Sequence, residues 1–398
     1  MASSPEEQRT RRVAAVHRDG AKVTFLELFF DLVFVLAITQ CTALMAHDPT
    51  WEGLLRGVLV LGVLWWAWVG YAWLTSVVDP EEGPVRLVMF AVMAALLVVS
   101  LCVPEVFDEL GLTFAVAYGL VRAGQLWLLW LGGDGSPALR HSVWTGLVPS
   151  TVVGVGLLVA ASQVHGDAQL ALWFAALVLD MLGPFLFGSE GWTLVPAHFA
   201  ERHGLILIIA LGESIVAVGV GAEAGVDGGV IAVAVLGTAL AAALWWAYFD
   251  VVALVAERRL SSATPGKEQN ELARDSYSFL HYPMVASIVL IALGIESTIA
   301  HVGERLHPET AFALVGGAAV YLLAHVAFRL RNVGTVSKQR LLLAVVLLAL
   351  APLGDEVHAL VTLSVVTGLL WSLIAYEAIR FADGRDQVRH AQGNRTPS

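Results

Sequence analysis

Twelve apolar stretches, each about the length of a bilayer crossing, run through this chain, and nearly all of its positive charge falls in alternate gaps between them. Hydrocarbon offers a backbone no hydrogen-bond partner, so such a chain must cross as self-satisfied helices of roughly 20 apolar residues. The composition agrees: 57% of residues are hydrophobic, 14% are charged and mean hydropathy is +0.73. The pattern predicts an all-α polytopic integral membrane protein with helices at 25–46, 53–78, 85–107, 111–131, 141–162, 168–188, 204–222, 228–256, 276–301, 310–329, 340–354 and 358–381. Pro352 and Gly354 interrupt the eleventh close to Asp355 and Glu356.

Lys and Arg collect on the cytoplasmic side of short loops. With both termini inside, every one of the 23 basic residues falls inside except Arg56, Arg305 and Arg122, and Arg122 lies within a helix. Residues 1–22 are polar and basic, and a full-length apolar run follows, so no cleavable signal peptide is expected and the first helix stays in the protein. Residues 1–22 and 382–398 read as disordered cytoplasmic tails, and Glu257 to Asp275, with Pro265-Gly266, reads as a linker. The net charge of −11 argues against nucleic acid as a partner. Cys41 and Cys102 read as small buried hydrophobes and have no metal-type spacing. Most of the 13 Trp read as interface anchors and packing.

An internal repeat is visible. Leu64-Trp65-Trp66-Ala67-Trp68 in the second helix returns as Leu244-Trp245-Trp246-Ala247-Tyr248 in the eighth, and Tyr118-x-x-x-Arg122 in the fourth resembles Tyr321-x-x-x-His325 in the tenth. The pattern predicts two six-helix halves, 23–190 and 204–381, joined by an inner loop at 191–203. An even number of crossings per half makes the repeats parallel, an arrangement found in secondary transporters.

Ionisable groups inside a membrane cost a few kcal/mol each and tend to face a cavity or a partner. Glu27 and Asp31 are four apart and share a helix face; Glu213 lies near the midplane of helix seven; Asp180 precedes Gly183-Pro184; Asp250 ends the second Trp-Trp run; and His281 lies one turn into helix nine. Arg122 is the expected counter-charge for Glu27, Asp31 or Glu213. One reading makes these residues a carboxylate-lined proton or cation path with His281 as a relay. The other makes them buried pairs that lock helices together. Five carboxylates against one Arg leave a surplus, which favours the path.

His198, Glu201, Arg202 and His203 form the densest polar cluster, at the expected inner entrance of helix seven. Three readings apply: a cytoplasmic gate or charge lock, a helix cap, or a metal site, the last disfavoured because the order is not His-Glu-x-x-His. No metal, cofactor or catalytic residue is expected.

Phe25-Leu26-Glu27-Leu28-Phe29-Phe30-Asp31, Leu64-Trp65-Trp66-Ala67-Trp68, His198-Phe199-Ala200-Glu201-Arg202-His203-Gly204, Ala210-Leu211-Gly212-Glu213-Ser214, Trp245-Trp246-Ala247-Tyr248-Phe249-Asp250 and Tyr277-x-x-x-His281 together resemble the bacterial low temperature requirement A family, over residues 23–381. The resemblance implies a bacterial inner-membrane protein; it does not imply a substrate. The leading expectation is a secondary transporter or channel-like permease, not an enzyme, with membrane lipids and a small ion or small-molecule substrate as partners. The alternatives are a membrane-embedded enzyme acting on lipid at the inner interface, and a non-transporting sensor or scaffold.

Overall fold

The structure, a computed structural model, describes residues 22–132, 137–186, 192–222 and 225–390, apart from the side chains of Pro184, Leu186 and His390. The disorder expected of residues 1–21 and 391–398 lies outside the described residues. Among those described, every regular element is a helix, and one isolated antiparallel bridge joins Arg305 to His358. In chain order they are α1 (Phe25–His47), α2 (Trp51–Val77), α3 (Gly83–Cys102), α4 (Gly111–Gly132), α5 (Pro137–Ala161), α6 (Asp167–Leu186), α7 (Pro196–Gly221), α8 (Gly228–Phe249), α9 (Val252–Ser262), α10 (Lys267–Ala273), α11 (His281–Ala300), α12 (Pro308–Val333), α13 (Lys338–Leu350), α14 (Ala359–Arg380) and α15 (Ala382–His390).

Ten helical stretches among the described residues are long and apolar enough to cross a membrane. They comprise α1 to α5, α7, α8 with α9, α10 with α11, α12 and α14. Helix α6 is 20 residues long, whereas α13 has only 13 and ends in a 3-10 turn at Ala351–Leu353, where Pro352 cannot continue the ladder. Leu87, Leu120, Val152, Val235, Leu342 and Val365 are all exposed, as side chains that face lipid must be. The protein is therefore a multi-pass membrane protein.

Local chemistry sets the helix ends. At α1, Thr24 Oγ1 accepts from the Glu27 amide at 3.3 Å while Glu27 Oε2 accepts from the Thr24 amide at 2.8 Å, a reciprocal capping box. Thr50 Oγ1 accepts from the Gly53 amide and Asp227 from the Val230 amide, and Gly334 closes α12 at φ 72°.

Three expectations are corrected here. Helix α7 begins at Pro196, not 204, because proline suits the first turn, so His198 to His203 belong to the helix itself. The expected linker at 257–275 is mostly helical, through α9 and α10 followed by a π-helical segment at Arg274–Phe279. The expected C-terminal tail is helical over Ala382–His390, held by charge pairs described below.

The chain forms two compact units. Unit 1 comprises Met1–Cys41, Arg56–Arg202 and Ala263–Ala273, and unit 2 comprises Thr42–Leu55, His203–Ser262 and Arg274–Ser398. In unit 1, α3 packs on α4, α4 on α5 and α5 on α6, and the Trp65, Trp66 and Trp68 side chains of α2 are buried. Cys41 and Cys102 are buried and outside any disulfide. In unit 2, α12 packs on α11 and α13, and α8 on α14 and α11. At Gly294 an added Cβ would lie 2.5 Å from Leu314 Cβ, so the α11–α12 contact depends on its absence.

Candidate functional site

The densest charge cluster lies in unit 1. Glu27 and Asp31, one turn apart on α1, meet His198 and Arg202, one turn apart on α7. His198 Nε2 is 2.8 Å from Glu27 Oε1; Arg202 contacts Glu27 Oε1 at 3.1 Å and Asp31 Oδ1 at 2.7 Å. Trp68 Nε1 donates to the same Asp31 oxygen at 2.9 Å, and the Arg202 guanidinium lies 5.5 Å from the Trp68 ring centroid. Glu27, Asp31, His198 and Arg202 are all fully buried.

Hydrogen-bond accounting locates a proton. Ser76 Oγ lies 3.0 Å from Ala72 O and 3.4 Å from His198 Nδ1 and has one hydrogen to give; when Ala72 O takes it, His198 Nδ1 is the donor of the longer contact. One further proton then lies between His198 Nε2 and Glu27 Oε1. Counted over these four side chains, two carboxylates against one guanidinium leave one negative charge, which this proton offsets. Asp31 Oδ2 is buried with no hydrogen-bond partner. Glu201 stands apart, its Oε2 accepting from the Val23 amide at an exposed position.

A second buried pair in unit 1 joins Arg122 on α4 to Asp180 on α6 at 3.0 Å, with Thr151 Oγ1 at 2.9 Å and Trp66 O at 3.5 Å as further acceptors. Arg122 is thus the partner of Asp180 and not, as expected, of Glu27, Asp31 or Glu213.

Unit 2 has its own networks. His281 Nδ1 faces Ser276 O at 3.0 Å, and a carbonyl only accepts, so Nδ1 carries the hydrogen; Nε2 then accepts from Tyr248 Oη at 2.8 Å. Ser276 belongs to the π-helical turn, whose Tyr277 ring stacks on His281 with centroids 5.1 Å apart, while His203 packs edge-on against both. Arg340 bonds Glu377 through Nε at 2.9 Å and Nη2 at 2.8 Å, and its Nη1 reaches Ala247 O and His325 Nδ1. Asp250 is paired with Arg385 and Arg389 of α15. Glu213 is buried on α7 within range of the Glu296 charge.

The single-arginine count behind the carboxylate surplus is therefore corrected: Arg202, Arg340, Arg385 and Arg389 also serve buried acids. Sequence reasoning passed over Arg340, Glu377 and Trp68 as parts of these networks. Arg340 sat at a helix start, where it looked like an ordinary positive-inside charge. Glu377 was legible as an acid within a span, and Thr24-x-x-Glu27 as a capping-box spelling. Among the described residues no group of three or more His, Cys, Asp or Glu is arranged to hold a metal.

All-helical architecture, lipid-facing apolar surface and fully buried charge clusters define a polytopic membrane protein with ionisable residues built into its spans. Residues 22–375 match the model of the family described as bacterial low temperature requirement A protein (LtrA), and the chain belongs to that family. An uncharacterized protein of Rhizobium meliloti (strain 1021) is 30% identical over 338 residues, covering 80% of each chain. No solved structure matches the chain.

Proposed function

We propose that this protein is a proton-coupled secondary transporter or channel-like permease, and that the proton between Glu27 and His198 is the one it exchanges. The observation that carries the reading is the charge balance at Glu27, Asp31, His198 and Arg202. A purely structural cluster is best served by one acid per base, fixed and neutral. Counted over its four side chains this cluster has one acid more than its guanidinium offsets, a place for one titratable proton, and Asp31 Oδ2 adds an unpartnered acceptor beside it. Buried ionisable groups in spans are typical of proton routes.

The proposed frame is twelve crossings in two parallel six-helix repeats, 23–190 and 204–381, with both termini cytoplasmic in a bacterial inner membrane. A shared internal pattern supports the repeats. In unit 1, Tyr118 Oη donates to Val63 O and Arg122 joins Trp66 O to an acid on α6. In unit 2, Tyr321 Oη donates to Leu244 O and Arg340 joins Ala247 O to an acid on α14. Each Arg ties a Trp-Trp helix to the last crossing of its half, so these two pairs read as scaffold. Among the described residues the Glu27 cluster has no such counterpart, which supports reading it as the working site.

The test is flux in proteoliposomes under imposed pH, sodium and potassium gradients. Glu27→Gln and His198→Gln are compared with wild type, and Glu213→Gln and His281→Gln are run as separate candidates. Loss of flux in the first pair with retained insertion supports the reading. Equal flux in Glu27→Gln and wild type overturns it.

A further inference from the structure

Unit 2 contains a cavity of about 540 Å³ at the end where α8, α12 and α14 finish and α13 begins. That volume lies within the roughly 300–1,000 Å³ typical of small-ligand sites. One wall is apolar, with Val252, Val255, Phe328 and Val333. The rest of the lining includes charged side chains, and their charges do not cancel.

Both acids on the cavity wall are already satisfied: Glu377 by the two-pronged bond from Arg340, Asp250 by Arg385 and Arg389. Two lining cations remain without an acid. Arg329 bonds only the neutral Thr335 hydroxyl, at 3.0 Å, and Lys338 has no hydrogen-bond or ion-pair partner among the described residues. Lys338 also opens α13, whose N-cap, Ser337, makes no capping bond, so the free amides and positive end of that helix lie beside it.

The uncharged polar groups agree. His325 Nδ1 accepts from Arg340, so its hydrogen lies on Nε2, and that N–H is buried without a partner. Ser337 Oγ and Trp246 Nε1 are likewise buried and unpartnered, and all three residues line the cavity. Three unused donors and two unbalanced cations in a cavity that is also lined by apolar side chains are suited to one kind of ligand.

We propose that this cavity binds an amphiphilic organic anion, its phosphate-type head against Lys338, Arg329 and the start of α13, and its apolar body against Val255, Phe328 and Val333. The site is separate from the Glu27 cluster and does not depend on the transport reading. The same head chemistry is offered by an anionic lipid or by a soluble alkyl phosphate.

The experiment measures binding of n-decyl phosphate to the full chain in phosphatidylcholine nanodiscs, with empty discs as the partition blank. One saturable site per chain is expected, weakened about tenfold in Lys338→Gln and again in Arg329→Gln, each losing one charge-assisted contact. Both side chains are exposed, so neither change threatens the fold; His325→Gln provides a third reading from the buried side. Repeating the titration in discs containing phosphatidylglycerol separates the sources. Displacement assigns the site to a lipid headgroup, and undiminished binding assigns it to a soluble anion. Absence of saturable binding above the blank, or affinities unchanged in all three variants, overturns the proposal.

Discussion

Arg202 Nη2 lies 2.7 Å from Asp31 Oδ1, although 171 residues separate them in sequence. The pair ties α7 to α1 inside unit 1 and holds both acids of the cluster in register. Arg202→Met removes the guanidinium that two buried carboxylates share. Removing one partner of a buried pair costs about 3–5 kcal/mol, so thermal unfolding of the purified protein in nanodiscs should drop clearly. Arg202→Lys should recover only part of it, because an ammonium cannot span two carboxylates as a guanidinium fork does.

The Arg122 and Asp180 pair should behave as scaffold. Arg122→Met and Asp180→Leu are each expected to destabilise by about 3–5 kcal/mol, and the double variant to recover most of that loss. A double-mutant cycle on unfolding measures the coupling. Additive losses would mean that the two side chains do not depend on each other.

Part of this arrangement was legible in the sequence. Glu27 and Asp31 share a face by helical periodicity alone, and the cost of charge in hydrocarbon singled out Asp180, Arg122 and Glu213 as residues needing an explanation. Pairing was not legible, because it depends on which helices become neighbours: Arg122 finds Asp180 on α6, and Arg202 finds two acids at the far end of the sequence. Helix ends were misplaced where polar residues begin a helix. His198 to His203 looked like an entrance because hydropathy starts to rise only after them, yet Pro196 opens α7 two residues earlier. The helical Ala382–His390 segment was hidden for a related reason: it is polar throughout, and its docking rests on Asp250, a residue 135 positions from Arg385.

Gly294→Ala is expected to destabilise unit 2 by about 1–3 kcal/mol, the usual cost of overpacking. The atoms in the way are Leu314 Cβ at 2.5 Å and Leu314 Cα at 3.0 Å. Leu314→Ala should therefore give no rescue, since it keeps both atoms. Thermal unfolding of the two single variants and the double variant checks this.

Tyr248→Phe removes the hydroxyl that donates to His281 Nε2 and leaves a buried acceptor without its partner. The expected cost is about 1–3 kcal/mol. Nitrogen-15 spectra of labelled histidine should show His281 with its hydrogen on Nδ1 in the wild type. A hydrogen on Nε2 would contradict the assigned tautomer.

The most direct measurement is proton flux into proteoliposomes under an imposed pH gradient, with wild type beside Glu27→Gln and the membrane potential clamped. The account predicts gradient-driven flux in the wild type and a loss of about a hundredfold in the variant, with insertion and unfolding temperature showing that the variant is folded. Equal flux in the two proteins, or none in either under proton, sodium and potassium gradients alike, would contradict it.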